Sequence, residues 1–289
     1  NVTANVTSMV FNEDGELVVG TTAIGLWYHS DVDDAWDITN GPFKGINSLA
    51  VNSDGLILAA VPRRGIIPST DGGEKWEGPI DYYNNEHIEL LFAYEDGLIL
   101  AGIEDETGDQ TDLFRTGDNG MNWAQVSGGS QWDDIKIYDI AVDSTENMYA
   151  ATSKGIWISP DLGDTWASLG LSSRTIEGIA ASPEGDLYAS THDYGEESVT
   201  AYIYKSTNTG QDWNQVYTSP DIVISQIAVN QNSDVYCALS GTDLLKSTDK
   251  GNSWNTITLS SGVPASIDFN SSGDVYLASS DGVKWSTDG

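Results

Sequence analysis

The chain of 289 residues has very little cysteine, few basic residues and no long apolar run. Its single cysteine, Cys237, excludes an intrachain disulfide, and the alternating run around it predicts a small buried residue. No stretch approaches the roughly 18 consecutive apolar residues that a membrane-spanning helix needs, so we expect no membrane span. No helical periodicity is found either, and we predict no helix.

The charge is strongly one-sided, with 12 Lys and Arg against 44 Asp and Glu and a formal net charge of −32. Affinity for nucleic acid comes mainly from Lys and Arg that neutralise phosphates, so we expect no nucleic-acid partner. Anionic lipid surfaces are disfavoured for the same reason. Two interpretations of the acidity stay open: a surface that remains solvated in salty surroundings, or affinity for cations or a basic partner.

One eight-residue phrase, Ser/Thr-x-Asp-x-Gly-x-x-Trp, recurs along the chain, and we call it the box. Five copies match this phrase well, although one of them has Asn208 in place of Asp. The Trp residues of successive copies are 47, 43, 47 and 41 residues apart. The five copies are Ser69–Trp76, Thr116–Trp123, Ser159–Trp166, Ser206–Trp213 and Ser247–Trp254. A worn copy at His29–Trp36 precedes them by 40 residues, and a truncated copy at Ser286–Gly289 closes the sequence. Such a period is typical of the four-stranded blade of a β-propeller.

A second phrase precedes each box, as in Leu49–Ala59 and Ile227–Ala238, and predicts a strand, a tight turn and a second strand ending in small residues. A third strand leads into the box, and the box Trp opens the fourth. The sequence therefore predicts an all-β fold, a seven-bladed β-propeller of four-stranded antiparallel blades. We expect residues 1–289 to form a single domain, either a mature form or a piece excised from a longer secreted protein. We also expect Asn1 to Thr3 to lie beside the strand that contains Val283 to Trp285.

The boxes resemble the Asp-box, or BNR, repeat of sialidases, sortilin-type receptors, oligoxyloglucan-type glycoside hydrolases and a photosystem assembly factor. Gly25-Leu-Trp27 and Gly155-Ile-Trp157, each before a box, also resemble propellers of bacterial two-component regulators. The resemblance implies that the boxes lie between the third and fourth strands, away from the binding face, and that the protein is extracellular or periplasmic. The box Asp, Gly and Trp then have structural roles in a turn.

Several enzyme sites fit the sequence poorly, and we assign no catalytic residue. A sialidase-like site needs three arginines around its ligand, but the chain has only Arg63, Arg64, Arg115 and Arg174, and Arg115 adjoins a box. Oligoxyloglucan-type hydrolases use two propellers, and only one is predicted here. The three histidines show no metal-ligand spacing, so we predict no metal site and no cofactor, with weak calcium binding left open.

Function is expected on the loops opposite the boxes, namely those from the second to the third strand and from the fourth strand to the next blade. Their aromatic, carboxylate and imidazole side chains are the candidate ligand-binding residues: Tyr82, Tyr83, His87, Trp132, Asp133, His192, Asp193, Tyr194 and Glu196. The leading hypothesis is a non-catalytic extracellular module that binds a carbohydrate or a protein. A polysaccharide-active enzyme, either a glycoside hydrolase or a lyase, and a structural assembly scaffold are the alternatives. The identity of the ligand and the oligomeric state stay open.

Overall fold

The chain is an all-β, seven-bladed β-propeller with four-stranded antiparallel blades, as the sequence predicts. The computed structural model describes residues 5–30, 35–39, 45–80, 87–104, 111–126, 135–195 and 198–287. Within these ranges the only helical element is a 3₁₀ turn at Glu95–Gly97, and no helix has the length and hydrophobicity of a membrane span. The expected position of Asn1 to Thr3 falls outside the described residues.

Contacts divide the chain into two compact units, Asn1–Val126 with Ala278–Trp285 and Ser127–Leu277 with Ser286–Gly289. The expectation of a single domain over residues 1–289 therefore stays a prediction. The first unit contains three blades, whose strands are β1 (Val6–Phe11), β2 (Leu17–Thr21), β3 (Leu26–Ser30), β4 (Ala35–Ile38), β5 (Ser48–Val51), β6 (Ile57–Val61), β7 (Gly65–Ser69), β8 (His87–Ala93), β9 (Ile99–Glu104), β10 (Thr111–Thr116) and β11 (Ala124–Gln125).

The second unit contains blades four to six, whose strands are β12 (Ile137–Val142), β13 (Met148–Thr152), β14 (Gly155–Ser159), β15 (Ala167–Gly170), β16 (Ile176–Ala181), β17 (Leu187–Tyr194), β18 (Val199–Ser206), β19 (Asn214–Pro220), β20 (Ile224–Val229), β21 (Val235–Leu239), β22 (Asp243–Ser247) and β23 (Asn255–Thr258). The seventh sheet has the order β24 (Pro264–Phe269), β25 (Val275–Ser279) and β26 (Gly282–Ser286). In every sheet the strands follow one another in chain order.

Two sheets, the second and the seventh, show three regular strands in the described residues. In the second, the segment after the box Trp runs beside β7 as an irregular fourth strand. There the backbone N–H groups of Glu77 and Ile80 donate to the carbonyl oxygens of Pro68 and Ile66, at 2.9 and 3.1 Å.

The hydrophobic core lies between neighbouring blades inside each unit. The second strands are its centre, since β2, β6, β13 and β21 are buried along their whole length. Their side chains pack against the first strand of the next blade, as Tyr149 and Ala151 of β13 belong to one core cluster with Ile176 and Ile179 of β16. Burial of such side chains contributes roughly 1.5–3 kcal/mol each, which makes the blade interfaces the main source of stability.

Each of the five good boxes, all of them in the described residues, contains a network of local hydrogen bonds at the turn between the third and fourth strands. Asp161 Oδ1 accepts bonds from Ser159 Oγ and from the backbone N–H of Thr165, both at 2.8 Å. Gly163, at φ +86°, donates its N–H to Ser159 Oγ at 2.8 Å, and Trp166 Nε1 donates to the Gly163 carbonyl at 3.1 Å. Slight burial raises the pKa of Asp161, but the bonds from Thr165 and Ser159 outweigh it and hold this pKa below its usual value. The box is thus a stabilising turn, consistent with the structural role expected for it.

Side chains near the start of the first strand link neighbouring blades within each unit. Ser8 Oγ accepts a hydrogen bond from the backbone N–H of Leu49, and Asp139 Oδ2 accepts one from Ile179, both at 3.0 Å. In the same way, Ser48 Oγ accepts a hydrogen bond from the backbone N–H of Leu91, and Gln226 Oε1 accepts one from the backbone N–H of Ile267. Burial raises the pKa of Asp139 to about 7, although hydrogen bonds from Ile179 and Ile140 act in the opposite direction.

Candidate functional site

The first strand of five blades carries a β-bulge close to the end opposite the box. In each case the register with the second strand shifts across one extra residue, and these residues are Thr7, Glu89, Tyr138, Glu177 and Ser225. A bulge re-aims the side chain of its extra residue and is common beside functional sites. The hydroxyl groups of Thr7 and Ser225 donate to the carbonyl oxygens of Ile46 and Pro264 at the start of the next blade, so these two link blades. Glu89, Tyr138 and Glu177 remain as bulge side chains at the loop end, where the sequence predicts the binding site.

Three of the predicted site residues lie together in blade five, where β17 continues to Tyr194 instead of ending in a loop. His192, Asp193 and Tyr194 pair with Ala201, Thr200 and Val199 of β18, so that the expected insertion is an extended hairpin. The two strands hold these side chains at fixed positions. Because successive residues of a strand point to opposite faces, His192 and Tyr194 share one side of the hairpin and Asp193 lies on the other.

His192 is buried and forms a hydrogen bond with the carboxylate of Glu177. Its side chain has no exposed surface, and its Nε2 accepts a 2.7 Å hydrogen bond from the backbone N–H of Ile224 in blade six. Nδ1 must then carry the proton, which it donates to the Glu177 carboxylate. Both ring nitrogens are engaged, so His192 holds Glu177 in place and has no free nitrogen to offer a ligand.

Tyr194 is the exposed member of the group, with 68% of its surface accessible. Its hydroxyl lies 3.4 Å from Glu177 Oε1, and its ring contacts the His192 ring at a centroid distance of 5.9 Å. Partial burial and the Glu177 carboxylate raise the pKa of Tyr194 above its usual value. Tyr138, the bulge residue of blade four, is also exposed. Partial burial raises its pKa above the usual value, and the nearby negative charge of Glu177 raises it further. We call Tyr138, Glu177, His192 and Tyr194 the Tyr194 cluster.

Asp193 belongs to a second group on the other side of the hairpin. Its Oδ1 lies 2.9 Å from Nη1 of Arg174, which comes from the loop between β15 and β16. The guanidinium group covers the rings of Tyr202 and Tyr204, with centroid distances of 4.9 and 5.4 Å. Stacking and pairing hold Arg174 in one position, and its charge is compensated by Asp193.

His87 lies in the first unit, at the start of β8. Its Nδ1 is 2.6 Å from Glu89 Oε1 and 3.0 Å from Glu104 Oε2. The other predicted site residues, Tyr82, Tyr83, Trp132, Asp133 and Glu196, lie outside the described residues. Their part in binding stays a prediction, as does that of the residues described above.

One cavity of the first unit, of about 280 Å³, does not include His87, Glu89 or Glu104 in its lining. It is lined by Tyr28 and residues 37–39 of blade one and by Glu74 in the box of blade two. It therefore opens near a box, whereas the predicted site residues lie at the opposite ends of the strands.

Sequence reasoning missed Glu177, Tyr138 and Glu89, which the bulges bring to the site. A signal was present: the apolar residues Ile176 and Ile179 are three positions apart, where a regular strand would place them two apart. The same spacing of three separates Ile137 from Ile140, Ile224 from Ile227 and Val6 from Met9. An extra residue in the strand explains each of these spacings.

Known proteins resemble this chain in structure and not detectably in sequence. No protein-family model matches the sequence, and no curated protein is significantly similar to it. The extracellular domain of the one-component system BT4673 from B. thetaiotaomicron superimposes with a TM-score of 0.78 at 12% identity, over 98% of this chain and 38% of that one. YCF48 bound to D1 peptide superimposes with a TM-score of 0.69 at 18% identity, over 98% of this chain and 93% of that one.

A GH74 xyloglucanase from Xanthomonas campestris superimposes with a TM-score of 0.75 at 16% identity, over 98% of this chain and 52% of the enzyme. The chain thus spans 38% of the BT4673 domain and about half of the xyloglucanase, whereas it matches nearly all of YCF48. At such low identities the likeness shows the shared propeller fold and nothing finer.

Proposed function

We propose that this protein is a non-catalytic extracellular binding module of Asp-box type that takes a peptide segment of a protein ligand at the Tyr194 cluster. The observation that carries the proposal is the construction of the cluster. An aromatic side chain that is 68% exposed is anchored through Glu177 to a histidine with no exposed surface.

Such an arrangement suits binding because it lowers the entropic cost of association. Interface energy is concentrated in a few aromatic residues, and an anchor that is already ordered loses little freedom when a ligand binds. Tyr194 offers an apolar face and a hydroxyl group, while Glu177 adds a negative charge beneath it. The net charge of −32 favours a ligand segment with Lys or Arg.

The comparisons agree with this choice in one respect. YCF48, which was solved with a bound peptide, is matched over 93% of its chain, so a propeller of this size with little else attached binds a peptide. The xyloglucanase is matched over only 52% of its chain. His192 is not available as a general acid or base for polysaccharide cleavage, because both of its nitrogens are already engaged.

The test is a selection from a displayed random peptide library, run beside an array of neutral and acidic polysaccharides. We expect enriched peptides rich in Lys and Arg, with a dissociation constant that rises as NaCl is raised from about 50 to 500 mM. Tyr194→Ala should weaken binding of a selected peptide at least tenfold. Met121→Ala is the control, because Met121 is 82% exposed in a box turn and should not contribute.

Two results would contradict the proposal. One is peptide binding that survives both Tyr194→Ala and Glu177→Gln. The other is release of reducing ends or of unsaturated sugars from a polysaccharide on the array, which would favour the enzyme alternative.

A further inference from the structure

The end of β8 and β9 in blade three brings together one imidazole and two carboxylates, which we call the His87 cluster: His87, Glu89 and Glu104. His87 pairs directly with Glu104 across the two strands, and Glu89 is the bulge residue of β8. In the sequence His87 and Glu104 are far apart, so the register of the hairpin, and not a linear motif, creates the group.

The spacing of the donor atoms fits a metal ion. His87 Nδ1 lies 2.6 Å from Glu89 Oε1 and 3.0 Å from Glu104 Oε2, and one ligand atom from each residue lies within 4.8 Å of the others. Ligands held about 2.1 Å from a common ion are roughly 3.0–3.5 Å from one another. The separation of 3.0 Å between His87 and Glu104 is already in this range, and the His87–Glu89 separation has to widen by a few tenths of an ångström.

The charge of the cluster also favours a cation. His87 Nδ1 lies within hydrogen-bond distance of both carboxylates, and one proton on this nitrogen cannot make two full hydrogen bonds. A divalent ion would neutralise both carboxylates at once. Side-chain exposures of 50% for His87, 38% for Glu89 and 16% for Glu104 leave room for an ion to enter and for water to complete its coordination.

Asn47 provides a further contact on the other side of the imidazole ring. Its Nδ2 lies 3.4 Å from His87 Nε2 and donates to the Ile88 carbonyl at 3.1 Å. When Nδ1 binds a metal ion, Nε2 carries the proton and needs an acceptor. The Asn47 amide can accept this proton through Oδ1 once it has turned over, and it then gives up its bond to the Ile88 carbonyl.

We propose that the His87 cluster is a binding site for one divalent transition-metal ion of the Zn²⁺ type, held by His87 Nδ1, Glu89 and Glu104. An imidazole nitrogen with two carboxylates favours Zn²⁺, Co²⁺ or Mn²⁺ over Mg²⁺ and Ca²⁺, which prefer oxygen ligands only. The ion would join β8 to β9 at the loop end of blade three and would leave open coordination positions. This site is independent of the Tyr194 cluster and of the function proposed for it.

The experiment is calorimetric titration of the whole chain with Zn²⁺ in the presence of excess Ca²⁺, which occupies unspecific carboxylate sites. We expect one saturable site, and His87→Gln and Glu104→Gln should each weaken it at least tenfold. His29→Gln is the matched control, because His29 lies in the same unit on β3. Circular dichroism establishes that each variant is folded, as the half-exposed position of His87 leads us to expect.

A further measurement tests the geometry. Co²⁺ bound at the site should show visible absorption bands that disappear in His87→Gln. The proposal is overturned if no saturable site is found, if Zn²⁺ binds equally well to His87→Gln and Glu104→Gln, or if the Co²⁺ bands persist in His87→Gln.

Discussion

The box of blade five tests whether the turns are stabilised by the hydrogen-bond network that the structure shows. In four boxes the Asp carboxylate accepts a bond from a donor side chain four positions later, and these donors are Lys75, Asn122, Thr165 and Ser253. In blade five the polarity is reversed: Asn208 Nδ2 donates to Asp212 Oδ2 at 2.9 Å. The Asn at the Asp position is therefore matched to its partner and is not simply a degenerate copy.

Asn208→Asp should destabilise the protein because it places two carboxylates against each other. The hydrogen bond it removes is exposed and worth about 0.5–1 kcal/mol. Two unit charges about 4 Å apart repel by about 1 kcal/mol in water, and by more where the dielectric is lower. We therefore expect a loss of about 1.5–2 kcal/mol, which lowers Tm by a few degrees in a chain of this size.

The double variant Asn208→Asp with Asp212→Asn is the decisive one, because it copies the Asp118–Asn122 pair of blade three. It should return to within about 0.5 kcal/mol of the native chain, which gives a coupling energy of about 1–1.5 kcal/mol in a double-mutant cycle. Calorimetry or urea denaturation measures all four proteins. Raising NaCl to about 1 M should reduce the penalty of Asn208→Asp alone, since it screens the repulsion. If the double variant is no more stable than Asn208→Asp, the network does not determine the stability of the turn.

Three other predictions follow from buried groups. Trp166→Ala should lower the free energy of unfolding, measured by urea denaturation, by about 3–5 kcal/mol, because the indole is only 7% exposed and donates a hydrogen bond to the Gly163 carbonyl. A loss as small as the one expected for Met121→Ala, at a position that is 82% exposed, would contradict this prediction. Burial raises the pKa of Asp139 to about 7, so the native protein holds this proton more tightly than the unfolded chain does. The resulting stabilisation is complete below about pH 4 and is lost as the pH rises to 7. Asp139→Asn should therefore flatten the dependence of Tm on pH in that window, and an unchanged slope would refute the raised pKa. Cys237 is fully buried with a raised thiol pKa, so it should resist a thiol reagent in the native protein and react fully in concentrated guanidinium chloride; rapid native labelling would contradict its position in β21.

The regular part of the fold was predictable because it depends on short-range patterns. The box fixes a turn through bonds that span at most four residues, such as Thr165 N–H to Asp161 Oδ1, and its Gly marks a positive φ. The alternating strands and the box spacing then give the number of blades. Each of these signals is contained in a window of about 45 residues, and no contact between distant residues is needed to interpret it.

The site was less predictable because it depends on register. His192 belongs to a segment that the sequence indicates as a loop insertion, but β17 extends through it and buries the imidazole against Ile224 of the next blade. The contact of His87 with Glu104 depends in the same way on the pairing of β8 with β9. A shift of one residue in either hairpin would send these side chains to the opposite face, and sequence alone does not determine the shift.

The two ends of a blade differ in how strongly the backbone engages the side chains, and this difference is why we expect binding residues at the bulges. At the box end, the Ser, Asp and Gly of one turn bond to one another, as in Ser159–Gly163, so that most changes leave a backbone group without its partner. At the other end, the extra residue of the bulge stands outside the regular ladder. In five blades this position holds different residue types, namely Thr7, Glu89, Tyr138, Glu177 and Ser225. Thr7 and Ser225 use their hydroxyl groups to link neighbouring blades, whereas Glu89 belongs to the His87 cluster and Tyr138 and Glu177 belong to the Tyr194 cluster. Because the strand pairing does not determine the side chain at this position, it can serve structure in one blade and, as we propose, binding in another.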